Sequence, residues 1–265
     1  KRYRVMKKNN NDEINLLKEK IHSALEFLTS GQINETLEIV QELIKKFPEM
    51  PLLFNIRGVC YQTIKDLESA IDDFRQAIIL KPDYAEAYCN LGVTYQEAGN
   101  IISAISAYKK AISYDNNYST AHNNLGKIFL VQGKLDSSIE HLNYAISLKP
   151  DFADAHHNLG NVFSKINKLN DAIKSYKKAI TLEPNFAVAN NNLGIAYLRL
   201  GEQKLASDFF ENAIILSPGY ATAHHNLSGV KTYIKRDEQV DMMEALLLDN
   251  NLSQKDQTYL SFALA

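Results

Sequence analysis

Apolar and small residues recur along this chain at a helical spacing, and the spacing itself repeats. Within residues 85–118 they stand at Tyr88, Leu91, Gly92 and Tyr95, then at Ala104, Tyr108 and Ala111. At about 100° per residue each set falls on one face of a helix, so the stretch predicts two amphipathic helices joined by a turn. The turn falls at Gly99, and equivalent places hold Gly31, Gly133 and Gly201, with Asn167 and Lys65 in two others. Glycine and asparagine accept the left-handed backbone that ends a helix, whereas lysine there carries strain. Pro48, Pro82, Pro150, Pro184 and Pro218 stop each second helix, with Asn116 in the remaining place. Asp83, Asn117, Asp151 and Asn185 come next and are expected to cap the following first helix.

The pattern returns every 34 residues, at 17–50, 51–84, 85–118, 119–152, 153–186 and 187–220, with no insertion. A fixed period of this length predicts tandem helical hairpins that bury their apolar faces against neighbours, with no single closed core. Gly58, Gly92, Gly126, Gly160 and Gly194 fall in mid-helix, where glycine costs about 0.5–1 kcal/mol relative to alanine. Their recurrence predicts a close helix crossing, with Ala70, Ala104, Ala172, Ala206 and Ser138 expected opposite. Residues 1–16 are basic, then Asn-rich, without periodicity, and read as a flexible leader. Residues 221–265 diverge. They begin another first helix at 221–230, continue in an amphipathic helix at 237–248, and reach a capping box at Ser253–Asp256. That box opens a last helix with Tyr259, Leu260 and Ala263 on its apolar face.

The spacing of small, aromatic and proline positions over 17–220 resembles the tetratricopeptide repeat family. The resemblance implies an all-α fold, an α-solenoid of helical hairpins wound as a right-handed superhelix. It also implies a concave surface that binds proteins or peptides, without catalysis. Repeat 17–50 departs most, with Ala24 in place of the glycine and Leu43 in place of a small residue. A second resemblance lies in Leu252-Ser253, Asp256 and Leu260-Ser261-Phe262-Ala263-Leu264. This segment is similar to the linker of bacterial repeat–sulfotransferase proteins, in which such an array precedes the catalytic domain. It implies that the chain is the substrate-recruiting part of a larger transferase, with the catalytic domain outside these residues.

One polar stripe stands out. Asn90, Asn124, Asn158, Asn192 and Asn226 occupy the sixth position of successive repeats. On a helical wheel they lie away from the packing positions. Asparagine is a mediocre helix former, so local propensity does not account for five in register. Each amide offers two donors and an acceptor, enough to hold the N–H and C=O of an extended peptide. The arrangement resembles the asparagine ladder in the repeats of O-GlcNAc transferases, which makes such a region an alternative identity. The other reading of the stripe is a bond to a neighbouring helix. Lys127, Asn161, Lys165 and Arg199 lie on the same face, with Glu86 and Glu97 earlier in the chain. Their mixture does not match the lysine-rich carboxylate clamp of chaperone-binding repeats.

Composition narrows the alternatives. A net charge of −2 gives no overall field for nucleic acid or anionic membrane. No apolar run is long enough to span a bilayer. Cys60 and Cys89 make no disulfide framework and read as packed free thiols, suited to the cytoplasm. His122, His156, His157, His224 and His225 lack metal-ligand spacing, since adjacent histidines on a helix diverge by about 100°. No nucleophile–base pair or phosphate loop stands out, so neither an enzyme nor a cofactor is expected. The expected partner is a protein or extended peptide. The competing reading is a self-associating module that forms a homodimer through its C-terminal helices.

Overall fold

The computed structural model describes the backbone of residues 2–231, 238–248 and 252–265, and side chains from Ile14 onward. Every regular element among them is a helix, in agreement with the all-α expectation. Six hairpins follow the repeat. They are α1 (Arg2–Thr29) with α2 (Ile33–Lys46), α3 (Pro51–Thr63) with α4 (Leu67–Leu80), and α5 (Ala85–Glu97) with α6 (Ile101–Tyr114). Next come α7 (Ser119–Val131) with α8 (Leu135–Leu148), α9 (Ala153–Lys165) with α10 (Leu169–Leu182), and α11 (Ala187–Arg199) with α12 (Gln203–Leu216). Three further helices close the chain: α13 (Ala221–Ser228), α14 (Glu238–Leu247) and α15 (Gln254–Leu264). The chain divides into two compact units, Lys1–Leu125 and Gly126–Ala265.

The turns form where the sequence places them. Gly31, Gly99, Gly133 and Gly201 have φ between +75° and +84°, and Lys65 and Asn167 take φ of +66° and +62°. The mid-helix glycines also mark close approaches, but to partners other than those expected. A Cβ on Gly58, Gly92, Gly160 or Gly194 would lie 2.6–2.7 Å from the ring of Phe74, Tyr108, Tyr176 or Phe210. Leu142 fills that place against Gly126. The small residues one turn earlier contribute backbone instead, with the Ser138 and Ala206 carbonyls 3.3 and 3.1 Å from the added atom. The glycine is therefore required by a ring laid across the helix, which burial of that ring stabilises.

Over the segment 1–16, for which a flexible leader was expected, the backbone belongs to α1, which runs from Arg2. Its apolar periodicity fades toward the start, but no proline or glycine precedes Gly31 to stop the helix. Asp83, Asp151 and Asn185 are not the caps of the next helix. The N-cap residues are Tyr84, Phe152 and Phe186, none with a side-chain cap. The turn after the proline is thus one residue longer than a direct cap allows. Side-chain caps occur instead at Asp66 and Asn100, which accept from the Ser69 and Ser103 amides.

At the C-terminal end, Ser253 accepts from the Asp256 amide at 3.1 Å and donates to its carboxylate at 2.7 Å. The α15 it opens buries Leu260 with Met243 of α14 and Ala221 of α13. Asp237, the expected first residue of the preceding helix, lies outside the described residues.

Candidate functional site

In the unit Gly126–Ala265, the first helices of two successive repeats, α9 and α11, border a cleft of about 240 Å³. Asn161, Ser164, Lys165, Asn192, Ile195 and Arg199 line it, with Tyr176 of α10 as its inner wall. Four of the residues singled out in the sequence, Asn161, Lys165, Asn192 and Arg199, are therefore brought together. Their helical spacing explains this. Asn161 and Lys165 are four apart on one face of α9, and Asn192 and Arg199 are seven apart on α11.

Most of these polar atoms are already engaged within the fold. Asn192 Nδ2 donates to Asn161 Oδ1 at 3.0 Å and lies 3.0 Å from His157 Nε2. Tyr176 donates its hydroxyl to the same Asn161 oxygen at 2.9 Å. Arg199 donates to the Ser164 carbonyl and hydroxyl, each at 2.9 Å, and to Asn167 Oδ1 at 2.8 Å. Lys165 donates to the Leu130 carbonyl at 3.0 Å. Both cations thus close the C-terminal end of the preceding first helix, where the carbonyls lack intrahelical partners and carry the negative end of the helix dipole. The acceptors of these bonds are all uncharged, and among the described residues neither cation takes part in an ion pair.

The same geometry recurs along the chain. Asn90 donates to Asn55 Oδ1 at 3.0 Å, and Asn226 donates to Asn191 Oδ1 at 2.8 Å. Like Asn192 with His157, each pair joins residues 35 apart, one repeat plus one position. Asn55 donates onward to Glu86 at 3.0 Å. The placement of the stripe off the packing face is therefore corrected. Asn158 is buried, 7% exposed, and Asn90, Asn124, Asn192 and Asn226 are half-buried. The amides of Asn90, Asn192 and Asn226 tie one first helix to the one before it. Asn124 belongs to the unit Lys1–Leu125, where Asn123 donates to its Oδ1 at 3.4 Å. Lys127 is exposed on α7.

The residues missed in the sequence are the acceptors at the fifth position, Asn55, His157 and Asn191. Their signal was a second polar column beside the asparagines, offset by one residue. His157 is 9% exposed. Burial first, and the charge of Lys127 second, push its pKa down to about 4. With Asn192 Nδ2 as donor, the neutral ring accepts at Nε2 and carries its proton on Nδ1. His156 and His224 instead lie with Nε2 3.0 and 2.9 Å from the carbonyls of Pro150 and Pro218, fastening the first helix to the preceding turn. Among the described residues, no three His, Cys, Asp or Glu side chains converge as a metal site. Burial pushes the Cys60 and Cys89 thiols up to about 11 and about 12, so both are protonated packing groups. No described helix is long and apolar enough to cross a membrane.

Comparison with known proteins agrees with this architecture. A family profile described as TPR repeat matches residues 64–99, 97–133, 126–167 and 161–201, and one described as Tetratricopeptide repeat matches 187–220. Among solved structures, one of the APC/C hetero-tetramer Cut9-Hcn1 aligns with TM-score 0.76 at 21% identity, over 91% of this chain and 48% of that one. The chain thus spans about half the length of that relative. MamA aligns with TM-score 0.53 at 29% identity, over 62% of this chain and 96% of its own. YrrB, described as a TPR protein with an unusual peptide-binding site, aligns with TM-score 0.54 at 19% identity, over 70% of this chain and 96% of its own. Profile matches running unbroken from residue 64 to 220, over the hairpins whose turns and glycine-on-ring crossings repeat every 34 residues, place the chain in the tetratricopeptide repeat family.

Proposed function

We propose that this chain is a non-catalytic protein-interaction module whose first-helix face holds a partner peptide, centred on the cleft between α9 and α11. The observation that carries this reading is the convergence of Asn161, Lys165, Asn192 and Arg199 on that one cleft. The amide nitrogen of Asn192 is engaged by Asn161 and His157, so it has no donor left for a peptide. The ladder therefore acts chiefly as scaffold, and Lys165 and Arg199 make the larger contribution to the contact. Lys127 extends the basic character to the neighbouring first helix, whereas Glu86 and Glu97 lie in the other compact unit. The recruiting role within a sulfotransferase or glycosyltransferase rests on the two resemblances.

Peptides selected from a random library on the wild-type chain provide the test. Lys165→Glu combined with Arg199→Glu weakens their binding at least tenfold in titration calorimetry, with the thermal midpoint lowered by only a few degrees. Unchanged affinity in a folded variant overturns the reading.

A second reading has its own observation. Phe262 is 67% exposed and Leu248 82% exposed at the C-terminal end, a place for two copies to pair. Phe262→Ser then converts a concentration-dependent dimer to a monomer in sedimentation velocity. A wild-type chain that stays monomeric at high concentration removes this reading.

A further inference from the structure

The same unit holds a larger cleft, of about 590 Å³, bordered by α8, α9 and α10. Its apolar lining is Ile146, Leu159 and Phe163, and its rim carries Lys174, Lys177 and Lys178 against a single carboxylate, Asp171. A difference between repeats accounts for this opening. In the repeats on either side, an aromatic residue of the second helix covers the aromatic of the first. His141 lies 5.5 Å from Phe129 between ring centroids, and Phe209 stacks on Tyr197 at 5.6 Å. In repeat 153–186 the equivalent of His141 and Phe209 is Ser175, so Phe163 lacks that covering ring. In repeat 85–118 the equivalent is Ala107, but there Arg75 reaches across and donates to the Tyr95 hydroxyl at 2.9 Å. Repeat 153–186 thus has the small residue with an open cleft beside it.

The rim chemistry restricts what fits. Lys174 and Lys178 are exposed and take part in no ion pair among the described residues, and Lys177 lies over the Tyr197 ring at 5.5 Å. The two exposed ammonium groups of Lys174 and Lys178 beside an apolar hollow disfavour a basic or purely apolar occupant. They favour one large side chain flanked by carboxylates, the anchor-and-rim arrangement of protein interfaces.

We propose that this cleft is a second docking site, distinct from the α9–α11 face. It receives an acidic segment of a partner protein that inserts one aromatic or large aliphatic side chain beside Phe163. The inserted side chain occupies the space that Phe209 fills in the next repeat. The flanking carboxylates pair with Lys174 and Lys178. The chain then holds partner segments at two clefts of one compact unit, and each site can be removed without the other.

The test uses the full chain and a fluorescein-labelled short peptide of Asp and Glu around a central Leu-Phe pair. Fluorescence anisotropy should show saturable binding that weakens with salt. Lys174→Glu with Lys178→Glu should weaken it at least tenfold. Ser175→Phe, which supplies the covering ring, should do the same without touching a charge, and replacing Leu-Phe by Ser-Ser in the peptide should cost at least fivefold. Lys109→Glu with Lys110→Glu, at the places in repeat 85–118 equivalent to Lys177 and Lys178, should change binding less than twofold. The proposal fails if the peptide does not bind, if the Lys109/Lys110 reversal weakens binding as much, or if Ser175→Phe folds and binds normally. It also fails if Lys165→Glu with Arg199→Glu abolishes binding, because the peptide then sits on the α9–α11 face. Equal affinity for a single-stranded RNA of the same charge would mark a nonspecific polyanion surface and likewise overturn it.

Discussion

Lys65 holds a left-handed backbone, φ +66°, at a place where four other repeats have glycine. A Cβ in that conformation costs roughly 1–2 kcal/mol, offset in part by the greater chain entropy glycine has when unfolded. Lys65 also pairs with Glu97 at 2.9 Å, but its side chain is 71% exposed, and exposed pairs are worth about 0–1 kcal/mol. Lys65→Gly is therefore expected to stabilise the fold by about 0.5 kcal/mol in urea denaturation, and Lys65→Ala is not. A destabilised Lys65→Gly would mean that the ion pair outweighs the backbone strain. Gly160 makes the opposite case. A Cβ there meets the Tyr176 ring at 2.6 Å, and that ring is held by its hydroxyl bond to Asn161. Gly160→Ala should cost about 1–3 kcal/mol, the range for overpacking a filled core. Gly219→Ala, whose Cβ meets only Leu246 at 4.0 Å, should change stability by no more than about 0.5 kcal/mol.

Between helices, contacts at a separation of 35 residues do the joining. Arg199 closes the C-terminal end of α9 with three hydrogen bonds to Ser164 and Asn167. Arg199→Ala should lower stability by about 1 kcal/mol, since each neutral acceptor is accessible to water once released. Faster amide exchange should be confined to the ends of α9 and α11, and exchange spread evenly over the unit would contradict a local staple. The sequence made the hairpins legible because apolar spacing and turn residues are local signals. Gly99 announces a turn whatever surrounds it. The partners of Asn90, Asn192 and Asn226 were not legible in the same way. A helical wheel fixes a side chain relative to its own helix, and the neighbour's fifth position comes within reach only through the crossing of successive first helices. The cleft beside Phe163 was hidden for a related reason. Ser175 reads as an ordinary small packing residue until it is set against His141 and Phe209, whose rings lie on the partner helix. The start of α1 was not legible because its apolar periodicity fades, although Asn-rich sequence without glycine or proline does not itself end a helix.

Over the whole molecule, acid should act unevenly on the two compact units. His157 has its pKa lowered to about 4 by burial and by Lys127, and burial lowers that of His224 against the opposing bond to the Pro218 carbonyl. Both belong to Gly126–Ala265. A histidine whose folded pKa lies below its unfolded value near 6.5 binds its proton more readily when unfolded. Its contribution to stability is fully present above pH 6.5, falls as the pH drops through that value, and has reached its limit by about pH 4. For His157 the span corresponds to roughly 3 kcal/mol. The contact geometry acts in the same direction as burial, because a proton on Nε2 would face the Asn192 amide nitrogen 3.0 Å away. Hydrogen exchange read by mass spectrometry at pH 7 and pH 5, corrected for intrinsic rates, should therefore show protection falling more in 126–265 than in 1–125. The decisive variant is His157→Asn, because Asn55 and Asn191 hold the equivalent place and each accepts from the next repeat's asparagine. Asparagine keeps an acceptor for Asn192 and cannot titrate. His157→Asn should flatten the fall in stability between pH 6.5 and 4 while leaving stability at pH 7.5 within about 1 kcal/mol of wild type. An unaltered acid profile in that variant would move the sensitivity away from the contact between α9 and α11.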